Sequence, residues 1–312
     1  MIYTLTLNPA IDRELTVTEV QFDSVLSAVK AQVDFGGKGF NVSRLLKSMG
    51  LPSTTLGFVG GRTGERLRYG LEALGIQTDF VWISGETRTN ISIVTERHDH
   101  YIKVNEKGPL VDEAKQRELL DKIASIAAAG DWWVLAGSLP PGVPDSFYAQ
   151  IIETLNERNA VTVLDTTGES LRLGCEAKPF LVKPNAEEAH KLTGLPVDTL
   201  SQIALAAGEL RNMGAQNVVI SLGKKGALLQ NAEYSWLARS PKIKEKNPIG
   251  AGDSMVGGLV WALTQSLTLK EALGWGVASG AASASLSGTE VGSRLLIEEL
   301  FSRVQYERLE TV

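Results

Sequence analysis

In the second half of the chain, short apolar runs keep ending on a polar residue or a glycine. Trp132 to Leu135 leads into Gly137-Ser138, Val161 to Leu164 into Asp165, Phe180 to Val182 into Lys183-Pro184-Asn185, and Val218 to Ile220 into Ser221-Leu222-Gly223. Between the first two runs, the spacing of Phe147, Ile151 and Leu155 predicts a helix from about Asp145 to Glu157. Wholly apolar strands alternating with helices predict a mostly parallel sheet covered on both faces, an α/β layer architecture. In such sheets ligands bind beyond the carboxyl ends of the strands. Gly137-Ser138, Asp165, Lys183 to Asn185 and Ser221 to Gly223 are therefore expected along one rim.

The first half is less regular. Ile11 to Val20, Ala31 to Phe35, Thr89 to Glu96 and His100 to Asn105 read as strands with partial alternation, with a turn at Arg97-His98-Asp99. No long helix separates the last pair, so these segments are expected to form a small antiparallel sheet inserted into the α/β body. No linker or repeat divides the chain. It is read as one domain, 1–312, with inserted segments near 11–20, 31–36 and 89–106.

Composition narrows the function. Net charge is −5 and the basic residues are scattered, which argues against nucleic acid as a partner. Cys175 stands alone, so no internal disulfide forms, and His98, His100 and His190 lie far from it, which disfavours zinc. Met1 to Asn8 has no basic leader and reads as a first strand. The apolar stretch from Ser254 to Leu263 is too short to span a membrane, so a soluble, cytoplasmic protein is expected.

Four segments carry chemistry. In Gly250-Ala251-Gly252-Asp253, small residues let backbone N–H groups crowd at the start of an apolar helix, which suits an anion on a transferring phosphoryl group. Asp253 there suits either proton abstraction or simple helix capping. Gly257 and Gly258 weaken that helix, which implies close approach by another element. Gly36-Gly37-Lys38-Gly39, followed by Asn41, is a second glycine-rich turn before a helix, and it lacks the spacing of a Walker A loop. Asp12 follows the first strand and could grip sugar hydroxyls, though such a residue alone is more often a solvated turn residue. Arg88 and Lys103 suit a phosphate clamp or an ordinary charged edge.

Taken together and in order, Asn8-Pro9-Ala10-Ile11-Asp12, Gly36-Gly37-Lys38-Gly39-x-Asn41, Lys183-Pro184-Asn185-x-x-Glu188 and Gly250-Ala251-Gly252-Asp253-Ser254 resemble the signatures of the ribokinase-like, or PfkB, carbohydrate kinases. The resemblance runs from the first strand to at least Gly288-Thr289 and is greatest to the branch that phosphorylates phosphosugars. It implies a Rossmann-like sheet with a small β-sheet lid, ATP with Mg2+, and a homodimer clasped through the lids. It implies Asp253 as base, with the Gly250, Ala251 and Gly252 backbone as anion hole. By motif, Asp12, Gly37, Lys38, Asn41, Arg88, Asn90, Lys103 and Ser138 would contact the phosphosugar. Lys183, Asn185, Ser221, Gly223 and Gly226 would face ATP, with Asp165 and Glu188 holding Mg2+ through water. Fructose 1-phosphate is the expected acceptor; tagatose 6-phosphate and fructose 6-phosphate are alternatives, and unphosphorylated sugars or nucleosides stand behind them.

The chain departs from that pattern in places. Asn247-Pro248-Ile249 replaces the usual residues before the glycine turn, which leaves a requirement for K+ open. A basic residue expected about ten positions before Gly36 is absent near Ser27, and Lys30 is the nearest substitute. Residues Ser283 to Gly288 match only loosely. Readings from other classes fare worse. A dinucleotide-dependent dehydrogenase needs Gly-x-Gly-x-x-Gly after the first strand, where Asn8-Pro9-Ala10 stands instead. A non-catalytic sugar sensor would have no use for Asp253 beside an intact glycine turn.

Overall fold

The computed structural model describes residues 1–97, 101–288 and 290–309. His98 and Asp99 of the expected turn, and Thr289, lie outside the described residues. The first part of the chain forms β1 (Ile2–Thr6), β2 (Ala10–Val17), β3 (Lys30–Gly36), α1 (Lys38–Ser48), β4 (Thr54–Val59) and α2 (Gly61–Ala73). Next come β5 (Gln77–Thr78), β6 (Val81–Trp82), β7 (Arg88–Thr95), β8 (Tyr101–Asn105), α3 (Glu113–Ile126), β9 (Trp132–Ala136), α4 (Phe147–Glu157), β10 (Val161–Asp165) and α5 (Gly168–Glu176). The remainder is β11 (Leu181–Val182), α6 (Ala186–Thr193), α7 (Leu200–Asn212), β12 (Asn217–Ser221), β13 (Ala227–Gln230), β14 (Ser235–Arg239), α8 (Ala251–Thr264), α9 (Leu269–Ala284), α10 (Arg294–Phe301) and β15 (Gln305–Leu309).

The large sheet has the order β15-β14-β13-β12-β11-β10-β9-β1-β4-β5, with β6 also on β4. From β4 through β12 every pairing is parallel; β13, β14 and β15 add an antiparallel edge. Period-two alternation sends the strand side chains to opposite faces. Leu5, Trp133, Leu135, Leu164, Val182 and Ile220 pack with residues of α3 to α7. Val134, Val163, Leu181 and Val219 pack with α1, α8, α9 and α10. The expected two-sided α/β architecture is thus present, and the rim residues anticipated at the strand ends do lie there.

A separate four-stranded sheet has the order β3-β2-β7-β8. The expectation of an antiparallel sheet is corrected here, because its central pair, β2 and β7, is parallel. The reason is connectivity: β2 continues outward from β1 and β7 outward from β6, two strands that already run the same way. β3 and β8 return antiparallel beside them. The strand expected from Ile11, β2, also stops at Val17, short of Val20.

Alternation divides this sheet into unlike faces. One carries Asp12, Glu14, Asp34, Asn90, Ser92 and Lys103 in neighbouring registers. The other begins with buried Ile11 and partly buried Phe35 against Leu67 and Leu71 of α2, and continues through Leu15, Val33, Ile91, Ile93, Ile102 and Val104, with exposed Arg13 among them. Beyond α2 that apolar face is uncovered, with Val104 57% exposed. Lys30 lies opposite Thr16, six residues along β3 from Gly36, or about 20 Å at the rise of a strand.

Helix starts are set by local chemistry: Asn185 with Glu188, Thr199 with Gln202, and Thr268 with Glu271 form capping boxes on α6, α7 and α9. The glycines inside α8 are explained by packing, as their cost implied. A Cβ on Gly257 would meet Leu45 of α1 at 2.5 Å, and one on Gly258 would meet the Trp275 carbonyl of α9 at 2.6 Å. Gly258→Ala should therefore destabilise the fold by about 1–3 kcal/mol, the usual cost of overpacking. Urea unfolding should show a lower midpoint with an unchanged slope.

Candidate active site

The site is assembled around the N-terminus of α8. Gly250 caps that helix in the left-handed region, φ 79°, a conformation that favours glycine. The first turn of any helix leaves N–H groups without intrahelical partners. Ala251 N–H donates to the Pro248 carbonyl at 3.2 Å. Those of Gly250, Gly252 and Asp253 have no hydrogen-bond partner among the described residues, so they are free to meet an anion.

Asp253 is 8% exposed, and its Oδ2 accepts a 2.7 Å hydrogen bond from Nδ2 of Asn41 in the first turn of α1. Burial pushes its carboxyl up to about 6, with repulsion from Asp165 adding to this; Asn41, Lys38 and Lys183 oppose the shift.

Asp165, at the end of β10, is 1% exposed and takes an ammonium on each oxygen: Lys38 at 3.1 Å on Oδ1 and Lys183 at 3.5 Å on Oδ2. Burial alone would raise its carboxyl, but Lys183 and Lys38 outweigh burial and hold it below the ordinary range. For Lys38 burial works downward, and Asp165 followed by Asp253 reverses the sign. A Cβ on Gly252 would lie 3.6 Å from Lys183 Nζ, which sets that lysine against the helix start. Residues from α1, β10, β11 and α8 thus converge on one buried cluster, with two carboxylates facing two ammoniums.

A second group lies on the polar face of the small sheet and its root. Asp12 Oδ1 accepts from Asn90 Nδ2 at 2.8 Å, and its carboxyl is raised by burial against the lowering effects of Asn90, Lys103 and Arg88. Gly36 is needed beside it, since a Cβ there would clash with the Asp12 carboxylate. Arg88 donates from Nε and Nη2 to the Asn8 carbonyl (3.2 and 2.8 Å) and from Nη1 to the Glu106 carbonyl (3.0 Å). A guanidinium has five N–H donors, so it retains capacity for a phosphate. Gly37 caps α1, and Gly39 donates its N–H to Thr6 Oγ1 at 3.1 Å, where a side chain would collide.

The remaining candidates ring the strand ends without joining either group through side chains. Ser138 is exposed just after β9, next to Gly137, whose N–H donates to the Asp165 carbonyl at 3.0 Å. Asn185 and Glu188 are occupied with each other in the cap of α6, at 2.8 Å in both directions. Ser221 bridges to Asn185, and Gly223 and Gly226, both at positive φ, shape the tight turn between β12 and β13.

Sequence spacing gave no role to Asn8, whose Nδ2 donates to the carbonyls of Lys107 and Leu139 and ties the root of the small sheet together. It also missed the Asp34–Arg44 ion pair at 2.5 Å between β3 and α1. An acid ten residues before an arginine was the only signal for that pair.

Compared with known proteins, residues 4–294 match the pfkB family of carbohydrate kinases. The chain is 36% identical over 309 residues to the 1-phosphofructokinase of Bacillus subtilis, spanning 99% of this chain and 100% of that protein. It is 30% identical over 308 residues to the tagatose-6-phosphate kinase of Staphylococcus epidermidis, spanning 98% and 99%. The crystal structure of phosphofructokinase-2 from Escherichia coli in complex with potassium superposes with a TM-score of 0.92 at 30% identity, covering 96% of this chain and 98% of that one.

The raised carboxyl of Asp253 has a consequence for stability. A folded-state value near 6 exceeds the ordinary 3.8, so the folded state binds this proton more tightly than the unfolded state. The associated stability is present below about 4 and is lost as pH rises through 6. Asp253→Asn, which stays neutral, should unfold at a higher temperature than the parent at pH 8, by about 2–4 °C per kcal/mol relieved. Thermal scans should show the advantage shrinking toward pH 4.

Proposed function

Because the chain belongs to the PfkB family of carbohydrate kinases, we propose that it transfers the γ-phosphoryl group of ATP to a hydroxyl of a ketohexose phosphate. Fructose 1-phosphate is the acceptor favoured, giving fructose 1,6-bisphosphate. The observation that supports this reading most is the placement of Asp253, buried in the first turn of α8 beside unpartnered N–H groups and next to Lys38 and Lys183. A carboxylate poised near neutrality takes the proton of the attacking hydroxyl. The amides of Gly252 and Asp253, with Lys183, face the charge that develops on the transferred group.

Asp12 and Asn90 suit the sugar hydroxyls, and Arg88 with Lys103 suits the phosphate that the acceptor already carries. The turn from Ser221 to Gly226 and the cap at Asn185 suit the nucleotide. Among the described residues no three His, Cys, Asp or Glu side chains gather as a metal site. That fits magnesium, which leans on phosphates and water and needs few protein carboxylates; Asp165 and Glu188 are the candidates to meet its waters. When bound, the ion neutralises phosphate charge. Lys246 and Asn247 donate backbone N–H groups to the Ala284 carbonyl (2.8 and 3.2 Å), and Asn247 Nδ2 donates to Gly288 O at 2.8 Å. K+ is kept in the reading as an activator because the similar phosphofructokinase-2 structure from Escherichia coli is in complex with potassium.

The small sheet is read as a lid whose polar face covers the sugar and excludes water. Its uncovered apolar face, with Val33, Ile91 and Val104, suits a second copy of the chain, giving a homodimer clasped through the lids. Cytoplasmic residence is retained as part of the reading; among the described residues no helix is long and apolar enough to cross a membrane.

An ADP-release assay over fructose 1-phosphate, tagatose 6-phosphate, fructose 6-phosphate, fructose, ribose and nucleosides tests the assignment. Highest kcat/KM on fructose 1-phosphate is expected, with kcat falling as pH drops through about 6. No turnover with any of these would turn the reading to a sugar-sensing relative. Asp253→Asn should lower kcat by roughly 10²–10⁴-fold with binding nearly intact. Replacing Arg88 and Lys103 with Ala should raise KM for the phosphosugar sharply and leave KM for ATP unchanged.

A further inference from the structure

The amide of Asn41 reaches across 212 residues of sequence to bind Asp253. An ionised carboxylate only accepts hydrogen bonds, so Asn41 must present an N–H to it, and a charge-assisted bond of 2.7 Å fixes the rotation of the carboxylate. The other groups that face Asp253 are Lys38 from α1, Asp165 at the end of β10 and Lys183 after β11; they act through space and none hydrogen-bonds to it. Asp253 Oδ1 has no partner among the described residues. The Asn41 amide also lies against the helix cap, since a Cβ on Gly250 would stand 3.9 Å from its Nδ2.

We infer that Asn41 is a positioning residue, which holds Oδ2 of Asp253 so that Oδ1 is the atom that receives the acceptor proton. This rests on reading Asp253 as the base. In the step itself the acceptor O–H bond breaks, its proton passes to Oδ1, and its electron pair forms the new O–P bond. The bond between the γ-phosphorus and the bridging oxygen breaks, with its pair leaving on ADP. Without Asn41 the carboxylate can rotate, and the fraction of time it faces the hydroxyl falls. A residue that only touched the sugar would act on binding instead.

The test is a double-mutant cycle with Asn41→Leu, which is similar in size and lacks the donor, in the full-length protein. Alone it should lower kcat about 10–100-fold and leave KM for phosphosugar and ATP within about threefold. In the Asp253→Asn background the same change should cost less than about twofold, since there is no base left to orient. Equal losses in both backgrounds, or a rise in phosphosugar KM with kcat intact, would overturn the inference and make Asn41 a sugar contact. Should Asn41→Leu fail to fold, Asn41→Ser, too short to reach Asp253, decides by the same two numbers. If Asp253→Asn loses under tenfold on its own, the base reading falls and this inference falls with it. A large Asp253→Asn loss with additive Asn41 effects sinks the inference alone.

Discussion

The carboxylate of Asp165, almost wholly out of water, lies between the ammonium groups of Lys38 and Lys183. A lone charge at such depth would carry a large desolvation cost, and Lys183 is itself desolvated beside it while Lys38 keeps part of its side chain in water. The group is tolerable only because all of its members are in place. It therefore ties the start of α1 and the ends of β10 and β11 into one constellation, against which the first turn of α8 is set. Asp253 feels both sides of this arrangement, repelled by Asp165 and attracted by the lysines. Its raised carboxyl is thus a property of the cluster and of burial together. Leaving a carboxylate so raised ionised in the interior costs stability, and catalytic sites commonly accept that cost.

Much of this was readable from the chain. Each central strand ends at or within one residue of its apolar run, at Ala136, Asp165, Val182 and Ser221, where the chain turns over the carboxyl edge of the sheet. The glycines of α8 announced a close neighbour because nothing else justifies their cost in a helix, and α1 and α9 are that neighbour. The polar residues of the second half therefore landed on one rim.

Other features were hidden for identifiable reasons. The direction of β7 relative to β2 depends on where each strand emerges from the large sheet, and periodicity holds no information on that. The Asn41–Asp253 bond joins residues with no shared element and no spacing rule, so only their convergence in space reveals it. Asn185 and Glu188 look like ligand contacts in sequence and also satisfy each other in a helix cap, two roles that sequence cannot separate. Asn8 is similar: an Asn before a proline reads as a turn, yet its side chain fastens two distant backbone segments.

The small sheet joins the body at its root, where Asn8, Arg88 and the carbonyl of Glu106 are linked, and along its near end, where Ile11 and Phe35 meet α2 and Asp34 pairs with Arg44 of α1, while α8 and its charged neighbours belong to the body. Two faces of the molecule are consequently separable in evolution. On the function proposed above, residues on the polar side of the sheet could change the preferred acceptor without touching Asp253 and its charged neighbours. Conversely, that machinery can stay fixed while the sheet is rebuilt. A chain organised this way diversifies by exchanging what it grips rather than what it does.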